Sequence, residues 1–354
     1  MRFRVLFTLI LIILFGIFSV TVLASVASNE VKAQAVAALF SGLVFLGLQI
    51  PDPQFFKRLA PGVAGIIFVL LMLTMIAGRN AKGSVRWLTL GQISVQPSEF
   101  AKPTLALLLA YFVRKYPLRT QRRVFVYFLL TLAFCIPVFL QPDFGSAMVL
   151  TAVSASILFF AIEKLRLLLP WIVLGTLGVL LIWNFALYPY QKQRILAFAH
   201  PNDAIRSSGY NAQQAMIAVG SGKLEGRGLG HGIQSQLRFL PERQTDFFFA
   251  SMVEETGFVG GAIVLLGYTF LGILALRGTQ SLDPFARLAI IGIGTSILFQ
   301  AIIHAGMDMR LFPVTGIPLP LLSAGGSSFL ATCIGLGLIM RLHTMRLIWY
   351  TTTL

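Results

Sequence analysis

Apolar residues along this chain come in ten long runs, separated by polar segments of very unequal length. The runs fall at 5–27, 33–51, 59–77, 99–113, 124–141, 145–162, 167–186, 257–276, 285–305 and 326–345. A helix needs about 20 mostly apolar residues to cross the hydrocarbon core of a bilayer. Each run is therefore read as a spanning helix. The first is too long for the apolar region of a cleaved signal peptide, and no small-residue cleavage site leads into a soluble domain.

The segments between the runs carry orientation signals. With the N-terminus in the cytoplasm, the inside segments hold Arg2, Arg4, Lys57, Arg58, Arg114, Lys115, Arg119, Arg122, Arg123, Lys164, Arg166, Arg277, Arg287, Arg341 and Arg346, against only Asp52, Glu163 and Asp283. Basic residues concentrate in short cytoplasmic loops. Both termini are thus expected inside, which requires an even number of spans, and ten satisfies it. The expectation is an all-α polytopic membrane protein of about ten transmembrane helices, a single domain over 1–354 with both termini cytoplasmic.

On the other side two segments stand out. One is 78–98, GRNAKGSVRWLTLGQISVQPS. The other is 187–256, a large extracytoplasmic loop between helices 7 and 8, rich in Gly, Gln, Arg and aromatic residues. A connection that long exceeds what packing needs, and long loops tend to carry function. No internal repeat is visible, which weakens an inverted-repeat transporter reading.

Composition narrows the class further. Of 354 residues 56% are hydrophobic and 12% charged, against about 25% charged in ordinary soluble domains. A soluble enzyme and a disordered chain are both excluded. The net charge of +15 would suggest nucleic acid in a soluble protein. Here the basic residues cluster between apolar runs, so no nucleic-acid partner is expected. Cys135 and Cys333 both lie inside apolar runs and read as small buried hydrophobes.

Ionisable residues within spans are functional hypotheses by default. In Gln96-Pro97-Ser98-Glu99-Phe100-Ala101-Lys102, Pro97 suits the first helical turn, and Glu99 and Lys102 share one face. They are either an anchoring ion pair or a charged wall for an anionic ligand. Asp143, in Gln141-Pro142-Asp143-Phe144-Gly145, is placed to cap the helix from 144, and this does not exclude a cavity-facing role. Phe239-Leu240-Pro241-Glu242-Arg243-Gln244-Thr245-Asp246 precedes a short helical stretch, 247–256. Thr245 or Asp246 could cap that stretch. Alternatively, the three phenylalanines after Asp246 put its carboxylate against apolar surface, where proton-transfer chemistry is favoured.

The Gly-rich run 220–230 permits close backbone approach to a phosphate, or is a flexible turn; it lacks the GK[ST] ending of a P-loop. His200, His231, His304 and His343 show no metal-ligand spacing. The segment 312–328, with three prolines and three glycines at a span boundary, is not expected to be regular helix. Such backbone is tolerated at that depth when buried or lining a cavity, and it is read as a cavity wall.

Taken together, Arg86-Trp87 with Gln96-Pro97-Ser98-Glu99 and Ala101-Lys102, then Gln141 to Gly145, Gly220-Ser221-Gly222 with Gly232 to Gln236, Phe239 to Asp246, and Pro313 to Pro320 with Gly325-Gly326-Ser327-Ser328 closely resemble the motifs of the SEDS family (shape, elongation, division and sporulation). They run in the family's order from about 80 to 330. The run FLPERQTDF is similar to the elongation members rather than the division members. Four positions depart: Gln244 stands where His is usual, Ala324 where Tyr is usual, Thr256 where Leu is usual, and His304 near a common Asn. The Gln244 departure argues that the usual His is not itself the catalytic base.

The resemblance implies a peptidoglycan glycosyltransferase of the bacterial cytoplasmic membrane. It would polymerise lipid II on the extracytoplasmic face during cell elongation, beside a class B penicillin-binding protein and other elongation-complex membrane proteins. The family's essential acid matches Asp246, expected as general base. Arg86, Lys102 and Arg243 would bind pyrophosphate or orient the loop, and Glu99 and Asp143 would hold Lys102 or a divalent ion (Mg or Mn). Trp87 would pack on sugar or lipid, and Glu242 and Ser327 complete the expected substrate-binding set. A lipid II flippase and a non-catalytic cell-wall scaffold are the competing readings. The one-sided loop speaks against the first and the intramembrane charges against the second.

Overall fold

The computed structural model describes residues 2–81, 84–91, 93–187, 192, 198, 208–277 and 279–345. Arg346, His200 and most of 188–207 within the 187–256 segment lie outside the described residues. Helices α1 (Arg2–Val26), α2 (Val31–Gly47) and α3 (Pro53–Ala77) come first. A three-stranded antiparallel sheet follows, β1 (Arg79–Ala81), β2 (Ser84–Leu90) and β3 (Ile93–Val95). Then come α4 (Pro97–Lys115), α5 (Gln121–Leu140), α6 (Phe144–Ala161), α7 (Leu169–Leu181), α8 (Ser208–Ser221), the short α9 (Ile233–Gln236), α10 (Phe248–Leu276), α11 (Pro284–Asp308) and α12 (Gly326–Leu342).

All ten apolar runs lie on helices. Among the described residues eight helices are long and apolar enough to cross a membrane. The other two are α4, which carries Glu99, Lys102, Arg114 and Lys115, and the 17-residue α12. This is a polytopic, predominantly helical membrane protein. The small sheet is an addition to the all-α bundle. Within 78–98, Ser-Val-Arg-Trp-Leu-Thr-Leu and Ile-Ser-Val are β-branched and aromatic enough to pair across a turn at Gly91, with Leu88 opposite Val95 and Leu90 opposite Ile93.

Helix starts follow local chemistry. Proline occupies the first turn of α3, α4 and α11, where its missing N–H costs nothing. Asp52 and Asp283 cap α3 and α11, accepting from Gln54 N and Phe285 N at 2.7 and 2.9 Å.

Helices α4, α6 and α11 pack against one another at the centre. The apolar window of α11 is 78% buried, and that of the marginal segment containing α7 is 0% buried. Helix α7 touches α5 through Trp171, stacked on Phe128 at 4.6 Å. At the centre Gly292 of α11 lies against Ala106 of α4 and Ile157 of α6. Small residues let helices approach closely where no water drives them together. The outer faces show large apolar side chains such as Ile76 and Phe185, as a lipid-facing surface requires.

Candidate active site

Asp143 is the hub of a first polar cluster. It caps α6, accepting from Ser146 N at 3.2 Å. Its other oxygen accepts from Ser98 Oγ at 2.9 Å and Gln96 Nε2 at 3.1 Å. Arg86 of β2 approaches from the side, with its guanidinium 3.7 Å from Asp143 Oδ1. Ser327, at the start of α12, accepts from Gln96 N at 3.2 Å and donates to Ser94 O at 3.4 Å, which ties the sheet to the bundle. Asp143 therefore holds Arg86 and not Lys102. Trp87 is half-buried on the same strand.

Glu99 and Lys102 form the second cluster. Lys102 Nζ donates to Glu99 Oε1 at 2.7 Å and to Gln300 Oε1 of α11 at 2.8 Å. Both charged residues are buried. The cavity beside them, lined also by Ser296, Thr332 and Gly335, measures about 10 Å³, the space of a single water. No wall of it comes from 312–325. The non-helical backbone expected there is present, but it is buried in protein instead of lining this cavity. Gln300, His304, Ser19 and Gln34 bond the carbonyls of Pro318, Ile317, Leu322 and Ser323, and the Tyr268 hydroxyl bonds that of Pro320. Side chains from four helices thus satisfy a coil that lipid would not tolerate.

Asp246 sits in a half-exposed loop directly before buried Phe247, Phe248 and Phe249. The carbonyl of Glu242 accepts from Thr245 N and Phe247 N at 3.0 and 3.2 Å, closing the loop on itself. Arg243 Nε donates to Val26 O at the end of α1 at 2.8 Å. Burial and the neighbouring Arg238 hold the Arg243 guanidinium below its ordinary pKa. Ala324 N donates to Gln244 O, and Ser323 Oγ to Thr245 O, at 2.8 and 2.9 Å. Two of the residues that depart from the family pattern, Gln244 and Ala324, are therefore in direct contact.

The first turn of α10 is capped from another helix. Ala250 N donates to Asp308 Oδ2 at 2.8 Å, and Phe249 N points at His304 Nε2 at 3.5 Å. Asp308 and Asp246 are electrostatic neighbours. The Thr245 hydroxyl, one of the two candidate caps, turns back to Glu242 instead. Ser296, Gln300, His304 and Asp308 recur every fourth residue and are all buried on one face of α11. That spacing in an otherwise apolar run was the available signal for His304 and Asp308.

The Gly-rich run makes its close backbone approach to α10, not to an open anion site. Helix α10 breaks at Gly257, whose φ is +71°, a conformation glycine adopts without strain. The break frees peptide groups, and the loop takes them: Arg227 N and Gly228 N donate to the carbonyls of Glu254 and Glu255 at 3.0 Å, and Phe258 N to Lys223 O at 2.8 Å. A Cβ on Gly226 would collide with Glu255 O. Glu254 and Glu255 also went unnoticed in the sequence. Glu254 accepts from Gln234 N, Ser235 N and Ser235 Oγ, and Glu255 from Ser25 Oγ and Gly230 N. Among the described residues no three His, Cys, Asp or Glu side chains gather into a metal-binding group.

Comparison with known proteins shows the family and the fold. The family model described as cell cycle protein, covering FtsW, RodA and SpoVE, matches residues 1–347. Peptidoglycan glycosyltransferase MrdB of Escherichia coli K12 is 33% identical over 353 residues, covering 96% of this chain and 93% of the relative. The probable peptidoglycan glycosyltransferase FtsW of Haemophilus influenzae is 35% identical over 89% of this chain and 82% of its own. Among solved structures, a chain of a peptidoglycan synthase complex that coordinates polymerization and crosslinking superposes with a TM-score of 0.81 at 29% identity, covering 96% of this chain and 97% of that one. The rod shape determining protein RodA of Thermus thermophilus superposes at 0.71 and 27% identity, covering 96% of each.

Proposed function

Because the chain belongs to the FtsW/RodA/SpoVE family of cell cycle proteins, we propose that it is a peptidoglycan glycosyltransferase that polymerises lipid II into glycan strands during cell elongation. The observation that carries the mechanism is that Asp246, half-buried, directly precedes three buried phenylalanines at the start of α10.

In this reading the acceptor hydroxyl oxygen attacks the anomeric carbon of the donor. Its proton passes to the Asp246 carboxylate, which must lie within about 3 Å. The bond from that carbon to the phosphate oxygen breaks, and its electron pair leaves with undecaprenyl pyrophosphate. Pyrophosphate needs charge stabilisation and no general acid. Arg86, whose side chain is 26% exposed, supplies it. Lys102 is sealed by Glu99 and Gln300 and frames the site from behind. Arg243 orients the Asp246 loop through Val26. Trp87 packs on sugar or lipid, Glu242 closes the loop, and Ser327 fixes the sheet.

A Mg or Mn ion on Glu99 or Asp143 fits these residues poorly. Asp143 already takes three hydrogen-bond donors and a guanidinium, and Glu99 takes an ammonium.

The chain is placed in the bacterial cytoplasmic membrane with both termini inside. Basic residues gather at the end of the bundle away from Asp143. Lys57 and Arg114 flank Asp283, Arg4 reaches the carbonyl of Arg277, and Arg341 that of Pro51. This supports the positive-inside orientation, in which Asp246 would lie on the extracytoplasmic face. A class B penicillin-binding protein and other elongation-complex membrane proteins are the expected partners.

The test is incubation of the purified chain with lipid II, alone and with a transpeptidase-dead partner, and electrophoresis of the products. A glycan ladder is expected. Transfer of lipid across vesicles with no ladder would replace this reading with the flippase, and neither activity in a folded complex would favour the scaffold.

A further inference from the structure

We propose that Asp308, with His304 behind it, is the positioning residue that sets Asp246 in place. The proposal deepens the polymerase reading and rests on Asp246 being its base.

Asp246 lies one residue before Phe247, the N-cap of α10. Wherever the first turn of α10 goes, Asp246 follows. A helix start leaves four amides without intrahelical partners. Here Ala250 N is taken at 2.8 Å by Asp308 Oδ2, and Phe249 N faces His304 Nε2 at 3.5 Å. Both acceptors belong to the last turns of α11, more than fifty residues along the chain. The cap is thus a tertiary contact between the most buried helix and the segment that presents the carboxylate.

His304 is itself fixed. Its Nδ1 lies 2.7 Å from Ile317 O, so the N–H sits there and Nε2 is left as the acceptor facing Phe249 N. Asp308 Oδ2 is 3.7 Å from that Nε2. Both side chains are fully buried. Asp308 Oδ1 is also buried and has no hydrogen-bond partner among the described residues. A carboxylate held in this way is costly, and helix capping alone could be done by a neutral local side chain. Gln300, one turn before His304 on the same face, holds Lys102. One rigid helix face therefore spaces the Asp246 loop from the Lys102 cluster. Displacing a catalytic group by about 1 Å can cost about a hundredfold in rate.

The experiment compares Asp308→Ala and Asp308→Asn in the full chain, with wild type and Asp246→Asn alongside. Asparagine keeps an oxygen for Ala250 N and alanine does not. For Asp308→Ala we expect kcat for lipid II polymerisation to fall about thirtyfold, with KM within about twofold and only the modest fall in unfolding temperature that one lost helix cap brings. Asp308→Asn should recover to within about threefold of wild type. Hydrogen exchange read on the peptide covering 245–252 should be roughly tenfold faster in the alanine variant and near wild type in the asparagine variant. Wild-type kcat in Asp308→Ala would overturn the proposal, as would an asparagine variant as slow as alanine, or a KM rise at constant kcat. The exchange readout stands without activity. If wild type makes no glycan, the polymerase reading fails separately, and unchanged exchange in Asp308→Ala still overturns the positioning role.

Discussion

Two acid–base pairs sit at neighbouring positions of this molecule, and they are built in opposite ways. Glu99 and Lys102 meet at 2.7 Å with side chains 2% and 4% exposed, and Gln300 takes a further proton of the ammonium. Arg86 and Asp143 stand 3.7 Å apart, and the Arg86 side chain is 26% exposed while the carboxylate is sealed by three other donors. The first pair is closed on itself, with space for about one water beside it. The second has one neutralised carboxylate and one guanidinium with faces left to offer. A charge whose bonding is complete can hold helices together. A charge left partly open can bind an anion.

The strongest way to break this contrast is Lys102→Met. It leaves the Glu99 carboxylate buried without its ammonium, and removing one partner of a buried pair costs about 3–5 kcal/mol. We expect the yield of folded protein and the unfolding temperature in detergent to drop sharply, and the double variant Glu99→Gln/Lys102→Met to recover most of the loss. Equal unfolding temperatures for wild type and Lys102→Met would mean the pair is not structural.

Asp143→Ala comes next. It removes the cap of α6, worth about 1 kcal/mol, and frees Arg86, Gln96 and Ser98 together. A moderate fall in unfolding temperature should accompany a rise in KM for lipid II.

Arg86→Ala should have the smallest effect on stability, under about 1 kcal/mol because the pair is part-exposed. Its effect belongs in KM, with a rise of about tenfold, the size of one lost charge-assisted contact. A fall in stability as large as that of Lys102→Met would erase the distinction between the pairs.

The two pairs also differ in how far the sequence revealed them. Glu99 and Lys102 stand three apart on one helix, so their pairing was legible from spacing alone. Asp143 was legible as a cap, but its link to Arg86 depends on a sheet whose strand pairing exists only in three dimensions. The helices were legible because each carries a long, mostly apolar run, and even the break at Gly257 falls between the helical stretch 247–256 and the apolar run from 257. His304, Asp308, Glu254 and Glu255 were not. They hide in apolar surroundings, and the partners of the first two come from distant elements, as with Asp308 on Ala250. The glycines of 220–230 advertised close backbone approach, but their partner, the broken turn of α10, exists only in three dimensions.

The measurement that bears most directly on the chemistry is polymerisation by Asp246→Asn at saturating lipid II, with lipid II binding measured on the same sample. The amide keeps the size of the side chain and removes its basicity. We predict binding within about threefold of wild type and a loss of glycan ladder of at least about a hundredfold, the scale of general-base catalysis. A ladder of wild-type intensity from a well-folded Asp246→Asn sample would contradict Asp246 as the base and with it the single-carboxylate mechanism.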